Sequence, residues 1–243
     1  MTRVLVIGAA GVFGSRLCEG LLRNGFEVVA AGRDRGRAEA VAARLRTAFP
    51  EGRVEVAMLD VATLTATDLR ATGADIVADM AGPFQGAEPA TARAVIAAGL
   101  AYVDLADGRD FVAAFPALDA AARSAGVVAL TGCSSTPALS NAVLDRLTDG
   151  WREVVAVEAA ISPGARAPRG MSVMQAILSW LGRPVRLFEG GEWTSRRGWS
   201  GLYRRDFGVA GRRRVSLCET PDLDVFPAHF APRDRALFLA GLE

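Results

Sequence analysis

The sequence predicts an α/β chain: a doubly wound parallel sheet followed by a second, smaller α+β domain. Three observations carry this. Short apolar runs rich in Val, Ile and Ala alternate with helical segments through the first 150 residues, as in a parallel sheet covered on both faces. The first run ends in glycines three residues apart, Gly8, Gly11 and Gly14. From Trp151 the texture changes, and alanine-rich helices give way to tryptophan, glycine and arginine, with Trp180, Trp193 and Trp199 all in this part. The expected division is therefore 1–150 and 151–243.

Val4-Leu5-Val6-Ile7 is aliphatic and largely β-branched, which suits a strand buried on both faces, and 15–22 has helical spacing. Between them lies Gly8-Ala9-Ala10-Gly11-Val12-Phe13-Gly14. Glycines at this spacing let the backbone turn tightly, approach a phosphate and pack a helix on a strand, and the helix amino terminus offers unpaired N–H groups to a pyrophosphate. The spacing is GxxGxxG, not the commoner GxGxxG, and alone it is a weak signal. Its position after a strand, with a second strand at 27–31, makes a dinucleotide site the expectation, with Gly8, Gly11, Val12, Phe13 and Gly14 as contacts.

Where an acidic residue ending the second strand would bind ribose hydroxyls, this chain has Gly32 followed by Arg33. A carboxylate would repel a 2′-phosphate and a guanidinium binds it, so NADP is favoured over NAD, with Arg33 as its reader and Arg37 beside it. The alternative is a solvated loop of Arg33, Arg35 and Arg37. A helix at 38–48 leads to a strand at 54–59, which ends at Asp60-Val61 facing the adenine; Asp60 either bonds the adenine amino group or caps a helix at 63–69. The fourth strand, 75–80, runs into Ala81-Gly82-Pro83-Phe84 and a helix at 88–98. There Gly82 permits close approach, Pro83 stiffens the loop and Phe84 packs near the nicotinamide, unless the segment is a plain strand-to-helix turn.

A fifth strand at 101–105 precedes a helix reaching 125. A sixth at 127–130 ends at Thr131-Gly132-Cys133-Ser134-Ser135-Thr136-Pro137, with Thr136 as N-cap and Pro137 in the first helical turn. Six strands alternating with helices make a Rossmann-type domain. In the second domain, strands are expected at 154–161, 185–188, 214–218 and 236–239, a helix at 171–181, and a loop at 162–170 overhanging the ligand crevice.

Composition sets further bounds. With 243 residues, 51% hydrophobic content and a net charge of +1, the chain can bury a large core and shows no global field for nucleic acid or membrane. No apolar run reaches membrane-spanning length and the first strand begins too early for a signal peptide, so a cytoplasmic protein is expected. Cys18, Cys133 and Cys218 form neither a disulfide framework nor a metal pattern, and are read as buried small residues. All 28 basic residues are arginine, which excludes a lysine Schiff base and a tyrosine–lysine proton relay. The single histidine, His229, builds no multi-histidine metal site. Nine arginines lie between positions 183 and 214 against Glu189, Glu192 and Asp206. They are read first as a solvated or subunit-pairing surface, next as a contact for an anionic or acyl-linked substrate, and last as a nucleic-acid contact, because their spacing is irregular and no reader motif is present. Tyr102, Asp104, Ser134 and Ser135 at the strand ends are the weak candidates for proton transfer, each with a packing or capping alternative.

Gly8-Ala9-Ala10-Gly11-Val12-Phe13-Gly14, Ala31-Gly32-Arg33, Ala81-Gly82-Pro83-Phe84, Tyr102-Val103-Asp104-Leu105 and the run through Pro137 make the first domain resemble the saccharopine dehydrogenase-like oxidoreductases. Ala167-Pro168-Arg169-Gly170 and Cys218-Glu219-Thr220-Pro221-Asp222-Leu223 extend the resemblance to the second domain of bacterial members. The resemblance implies an NADP-binding domain and a β-rich domain for substrate binding or subunit pairing. It also implies that relatives continue past the position where this chain stops, so a truncated second domain is expected. Such relatives include saccharopine reductases and lipid-related enoyl reductases, which leaves the substrate unassigned. The expected activity is hydride transfer between nicotinamide and a C=O, C=N or C=C bond; the alternative is a non-catalytic NADP sensor or interaction module. A homodimer is the expected assembly, since an exposed sheet edge tends to be covered.

Overall fold

A computed structural model describes residues 1–164, 166 and 170–241. Part of the expected 162–170 loop, including Ala167, Pro168 and Arg169 of the quoted motif, lies outside the described residues. The chain forms two compact units. The first comprises Met1–Gly82, Glu88–Ala106 and Ala114–Thr131; the second comprises Pro83–Ala87, Asp107–Ala113 and Gly132–Glu243.

In chain order the elements up to the sixth strand are β1 (Arg3–Ile7), α1 (Val12–Arg23), β2 (Glu27–Gly32), α2 (Arg35–Ala48), β3 (Val54–Met58), α3 (Ala66–Ala71), β4 (Ile76–Asp79), α4 (Ala90–Ala97), β5 (Ala101–Asp104), α5 (Arg109–Ala114), α6 (Asp119–Ala125) and β6 (Ala129–Leu130). The sheet of the first unit has the order β3-β2-β1-β4-β5-β6, every neighbouring pair parallel. The order reverses between β1 and β4, and at such a switch point the carboxyl ends of the strands open a ligand crevice. Val4, Val6, Val28, Ala30 and Val54 of the sheet bury against Cys18 and Leu22 of α1 and Ala42 and Leu45 of α2. The aliphatic runs are thus covered as their composition requires.

Several boundaries differ from the sequence reading for identifiable reasons. The helix expected up to residue 125 breaks into α5, a 3-10 turn at Phe115–Leu118 and α6, because Pro116 lacks an N–H and clashes with the preceding turn. Asp60 caps nothing helical. α3 is capped by Thr65, whose side chain accepts from the Asp68 N–H while Asp68 accepts from the Thr65 N–H at 3.0 Å, a reciprocal pair. Thr136 is not an N-cap: it is extended (φ −136°, ψ 126°) and buried, its hydroxyl donating to Asp222, and it precedes a cis Thr136–Pro137 peptide.

The second unit contains α7 (Ser140–Thr148), β7 (Ala156–Ile161), α8 (Met171–Ser179), β8 (Pro184–Glu189), β9 (Glu192–Arg197), β10 (Tyr203–Asp206), β11 (Arg212–Leu217), α9 (Asp222–Phe230) and β12 (Arg235–Ala240). Its sheet runs β10-β11-β12-β8-β9, with β7 parallel to β12 along the full length of that strand. Leu187, Val215, Leu217, Leu223, Phe226 and Phe238 form its core. The break at Thr131–Gly132 falls before the expected edge at Gly150. The reason is local: Thr136 and Ser140 both donate hydroxyls to Asp222 at the start of α9. Within this unit Arg109 of α5 reaches both carboxylate oxygens of Asp224 and the Arg186 carbonyl, tying α5 to α9 and β8. Of the cysteines, Cys18 is buried, Cys218 half-buried and Cys133 exposed, so the last departs from the expected small buried residue.

Candidate functional site

The site in the first unit starts from the glycine turn. Gly8 has φ +77°, a left-handed conformation that glycine adopts without penalty, and its N–H and that of Ala9 donate to the Ala31 carbonyl at 3.0 and 3.2 Å. The Gly11 N–H closes the turn on the Gly8 carbonyl at 2.9 Å. A Cβ on Gly8 would stand 2.9 Å from the Met80 carbonyl oxygen and 3.2 Å from the Ala81 nitrogen. A Cβ on Gly14 would overlap the Gly8 carbonyl. The glycines therefore let the start of α1 sit on β1 and let the chain leaving β4 lie against the turn.

The first turn of α1 is open for an anion. Gly11 is its N-cap, with no side-chain cap and no acidic residue in the first turn. The N–H groups of Val12, Phe13 and Gly14 lack helical partners by construction. Phe13 is exposed and Val12 half-buried, so neither buries the turn.

At the ends of β2 and β3 a depression of about 340 Å³ is lined by Arg33, Met58, Leu59, Asp60, Thr63, Leu64 and Asp68. The structure thus brings Arg33 and Asp60 together. The Asp60 carboxylate accepts the Ala62 N–H at 3.0 Å, an Asx turn that fixes its direction. Asp68 is engaged with Thr65, whose bonds hold its carboxyl below the usual range. Asp34 caps α2 by accepting the Arg37 N–H at 3.0 Å, while the Arg37 side chain is exposed. Leu59, Thr63, Leu64 and Asp68 were not singled out by the sequence. They bear no motif, and only the fold collects them.

The segment after β4 divides between the units. Ala81 and Gly82, both half-buried, belong to the first. Pro83 and Phe84 belong to the second, where Phe84 is 5% exposed and meets Phe111 edge-on at 5.1 Å. The Phe84 ring is a core anchor of that unit, packed on Phe111.

The proton-transfer candidates separate by burial. Tyr102 is 1% exposed and stacks on Phe115 at 5.8 Å, and Asp104 is fully buried. Asp104 accepts the Ala106 N–H at 2.9 Å and the Thr131 hydroxyl at 3.0 Å. Burial, followed by the charges of Asp79 and Asp104, pushes the Tyr102 phenol well up, away from proton exchange near neutrality. In the second unit Ser134 is half-buried and Ser135 exposed, on the turn that precedes Pro137. His229 is exposed and lies 2.7 Å from Asp145. Among the described residues, no cluster of His, Cys, Asp and Glu is placed to hold a metal ion, and no helix is long and apolar enough to cross a membrane.

This geometry fits a dinucleotide phosphate: an uncapped helix start, a turn that side chains would fill, and a guanidinium by the β2 end. Residues 4–145 match the family model described as the saccharopine dehydrogenase NADP binding domain. No curated protein matches the chain. Among solved structures, the WlbA (WbpB) dehydrogenase from Thermus thermophilus, in complex with NAD and alpha-ketoglutarate, is 15% identical over 100% of this chain and 74% of its own, with a TM-score of 0.51. The bulky-bulky ketone specific alcohol dehydrogenase from Comamonas testosteroni is 18% identical over 62% of this chain and 84% of its own, TM-score 0.45. Salutaridine reductase from Papaver somniferum is 24% identical over 34% of this chain, which spans 30% of that enzyme, TM-score 0.31. At these identities the first of the three shows a shared fold and the other two carry no further argument.

Proposed function

The chain belongs to the saccharopine dehydrogenase NADP binding domain family, whose cofactor is NADP, and from that premise we propose that it is an NADP-dependent oxidoreductase acting on a small molecule. The bond reduced or formed is C=O, C=N or C=C. NADP supplies the hydride carrier when bound, and the chain's own groups bind and orient it. The N–H groups of Val12, Phe13 and Gly14, at the turn formed with Gly8 and Gly11, take the pyrophosphate. Arg33, flanked by Arg37, takes the 2′-phosphate; Asp60 and Val61 face the adenine; and Ala81, Gly82, Pro83 and Phe84 follow the strand on the nicotinamide side. Of the four proton-transfer candidates, the buried Tyr102 and Asp104 recede, and Ser134 and Ser135 remain.

The observation that carries this reading is Arg33 in the depression with Asp60, after a strand that ends in Gly32 and lacks a terminal carboxylate. A guanidinium there gains charge-assisted bonds only from a cofactor with the extra phosphate. Arg33→Ala is expected to weaken NADPH by about 1.5–3 kcal/mol and NADH far less, measured by titration calorimetry. Equal losses for both cofactors would remove Arg33 from the role.

The burial of Tyr102 and Asp104 favours one rival, a non-catalytic NADP sensor acting through its second unit. Incubating the protein with NADPH and a panel of imines, ketones and enoyl compounds separates the two. Oxidation with any of them supports the enzyme, and tight NADPH binding with no oxidation supports the sensor.

A further inference from the structure

The last residues of β4 and β5 are both aspartates, Asp79 and Asp104, and they are register partners in the sheet. Adjacent strands lie about 4.8 Å apart, and register partners point to the same face. Asp79 is 5% exposed and Asp104 fully buried. Each carboxylate folds the loop that follows it by the same bond: Asp79 accepts the Ala81 N–H at 2.9 Å, and Asp104 accepts the Ala106 N–H at 2.9 Å. The Tyr102 hydroxyl faces both carboxyl groups without closing a well-formed hydrogen bond to either. The Thr91 hydroxyl stands beside Asp79, and the Thr131 hydroxyl donates to Asp104.

Two carboxyl groups enclosed in this way cannot ionise independently. A plain turn-forming role would be met equally well by asparagine, so the acid itself calls for an explanation. Its place supplies one. Ala81, held by Asp79, is the residue whose nitrogen lies against Gly8 of the phosphate-binding turn. Arg33 and Asp60 set the adenosine end on the β2 and β3 side. A dinucleotide spanning the switch point then extends its other end towards β4 and β5.

We propose that Asp79 and Asp104 act as one buried carboxylate pair on the nicotinamide side of the sheet, and that its negative charge makes the protein hold NADP⁺ more tightly relative to NADPH. The inference rests on the NADP site described above. The nicotinamide ring is cationic when oxidised and neutral when reduced, while the phosphates of the two forms are the same. The ratio of the two affinities therefore reports the charge near the ring and cancels effects common to both forms. Burial, with a further push from Asp104, raises the Asp79 carboxyl to about 6, against the opposing bond from the Ala81 N–H and the pull of the nearby Thr91 and Tyr102 hydroxyls. Above that pH the pair is more negative and the preference for NADP⁺ is at its fullest. Below it, proton uptake removes a charge and the preference declines.

The test is calorimetric titration of the full chain with NADP⁺ and with NADPH from pH 5 to pH 8, for the wild type and for Asp79→Asn, which keeps an acceptor for the Ala81 N–H. In the wild type the ratio of NADPH to NADP⁺ dissociation constants is expected to rise roughly three- to tenfold across the range, the size of one charge acting at moderate distance. In Asp79→Asn it stays flat at its low-pH value while both cofactors still bind. Binding of both cofactors with a pH-independent ratio in the wild type overturns the proposal and leaves the site standing. Failure of the folded wild type to bind either cofactor overturns the site itself. Should Asp79→Asn fail to fold, Thr91→Val, which removes a hydroxyl that favours the ionised acid, is expected to move the step to higher pH; an unmoved step counts against the pair.

Discussion

Gly14 shows how much of the site depends on a missing methyl group. Its absent Cβ would fall 2.8 Å from the Gly8 carbonyl carbon and 2.9 Å from the Ala9 Cα, both backbone atoms that cannot swing aside. Gly14→Ala is therefore expected to cost about 1–3 kcal/mol of stability through overpacking, and to weaken NADPH binding by about tenfold or more as the turn opens. Chemical denaturation and calorimetry check the two effects separately. At the opposite extreme is Glu219 in the second unit, a buried acid 3.9 Å from Arg109, whose guanidinium is already occupied by Asp224. Burial raises Glu219 to about 8; Arg109 opposes the rise, and Asp110, Asp224 and Asp107 add to it. Between pH of about 4.5, where the unfolded chain loses this proton, and about 8, the folded state keeps it. Folding stability from this group thus falls as pH rises through that window, by at most about 1.4 kcal/mol per pH unit, and levels off above it. Glu219→Gln should flatten this part of the profile in urea titrations run from pH 5 to pH 9. An unchanged slope would mean that Glu219 ionises freely in the folded protein.

At the scale of elements, the parts legible in the sequence are those whose signal is local. Val4-Leu5-Val6-Ile7 with its glycines, and the alternating strands and helices after it, need only neighbouring residues to declare themselves. β9 and β10 are not legible because Glu192–Arg197 is mostly polar and exposed and Tyr203–Asp206 polar and half-exposed, with no alternation of apolar residues. α9 carries no clear helical signal in the sequence, because Pro227 lies inside it and two aspartates occupy its first turn. Asp79 gave no local sign either: a single aspartate at a strand end acquires meaning only when β5 brings Asp104 alongside. The nearby α3 shows how a cap decides a short helix. With six residues it is too short to hold itself, and the reciprocal Thr65–Asp68 bonds fix its start. Thr65→Ala is expected to destabilise the protein by about 1 kcal/mol. Because Asp68 lines the depression beside Arg33, the same change should also weaken NADPH measurably, whereas a capping loss on a distant helix would not.

For the whole molecule, the decisive feature is how the chain is threaded. It passes between the two units five times, because 83–87 and 107–113, which leave β4 and β5, are built into the second unit before the chain returns to the first. Phe84, Gln85, Asp107 and Arg109 are fixed there by Phe111, by a Gln85–Asp107 hydrogen bond of 2.9 Å and by Asp224. Unfolding the second core would release both of these loops from their partners while the strands they extend remained in place. Independent unfolding of the two units is then costly, and a single cooperative transition is expected in scanning calorimetry. NADP at a hundredfold excess over its dissociation constant should stabilise that one transition by about 2.7 kcal/mol. Leu217→Ala, deep in the second core, should destabilise the same transition by about 2–5 kcal/mol. Two resolved transitions, with NADP moving one and Leu217→Ala the other, would show that the interleaved segments do not couple the units.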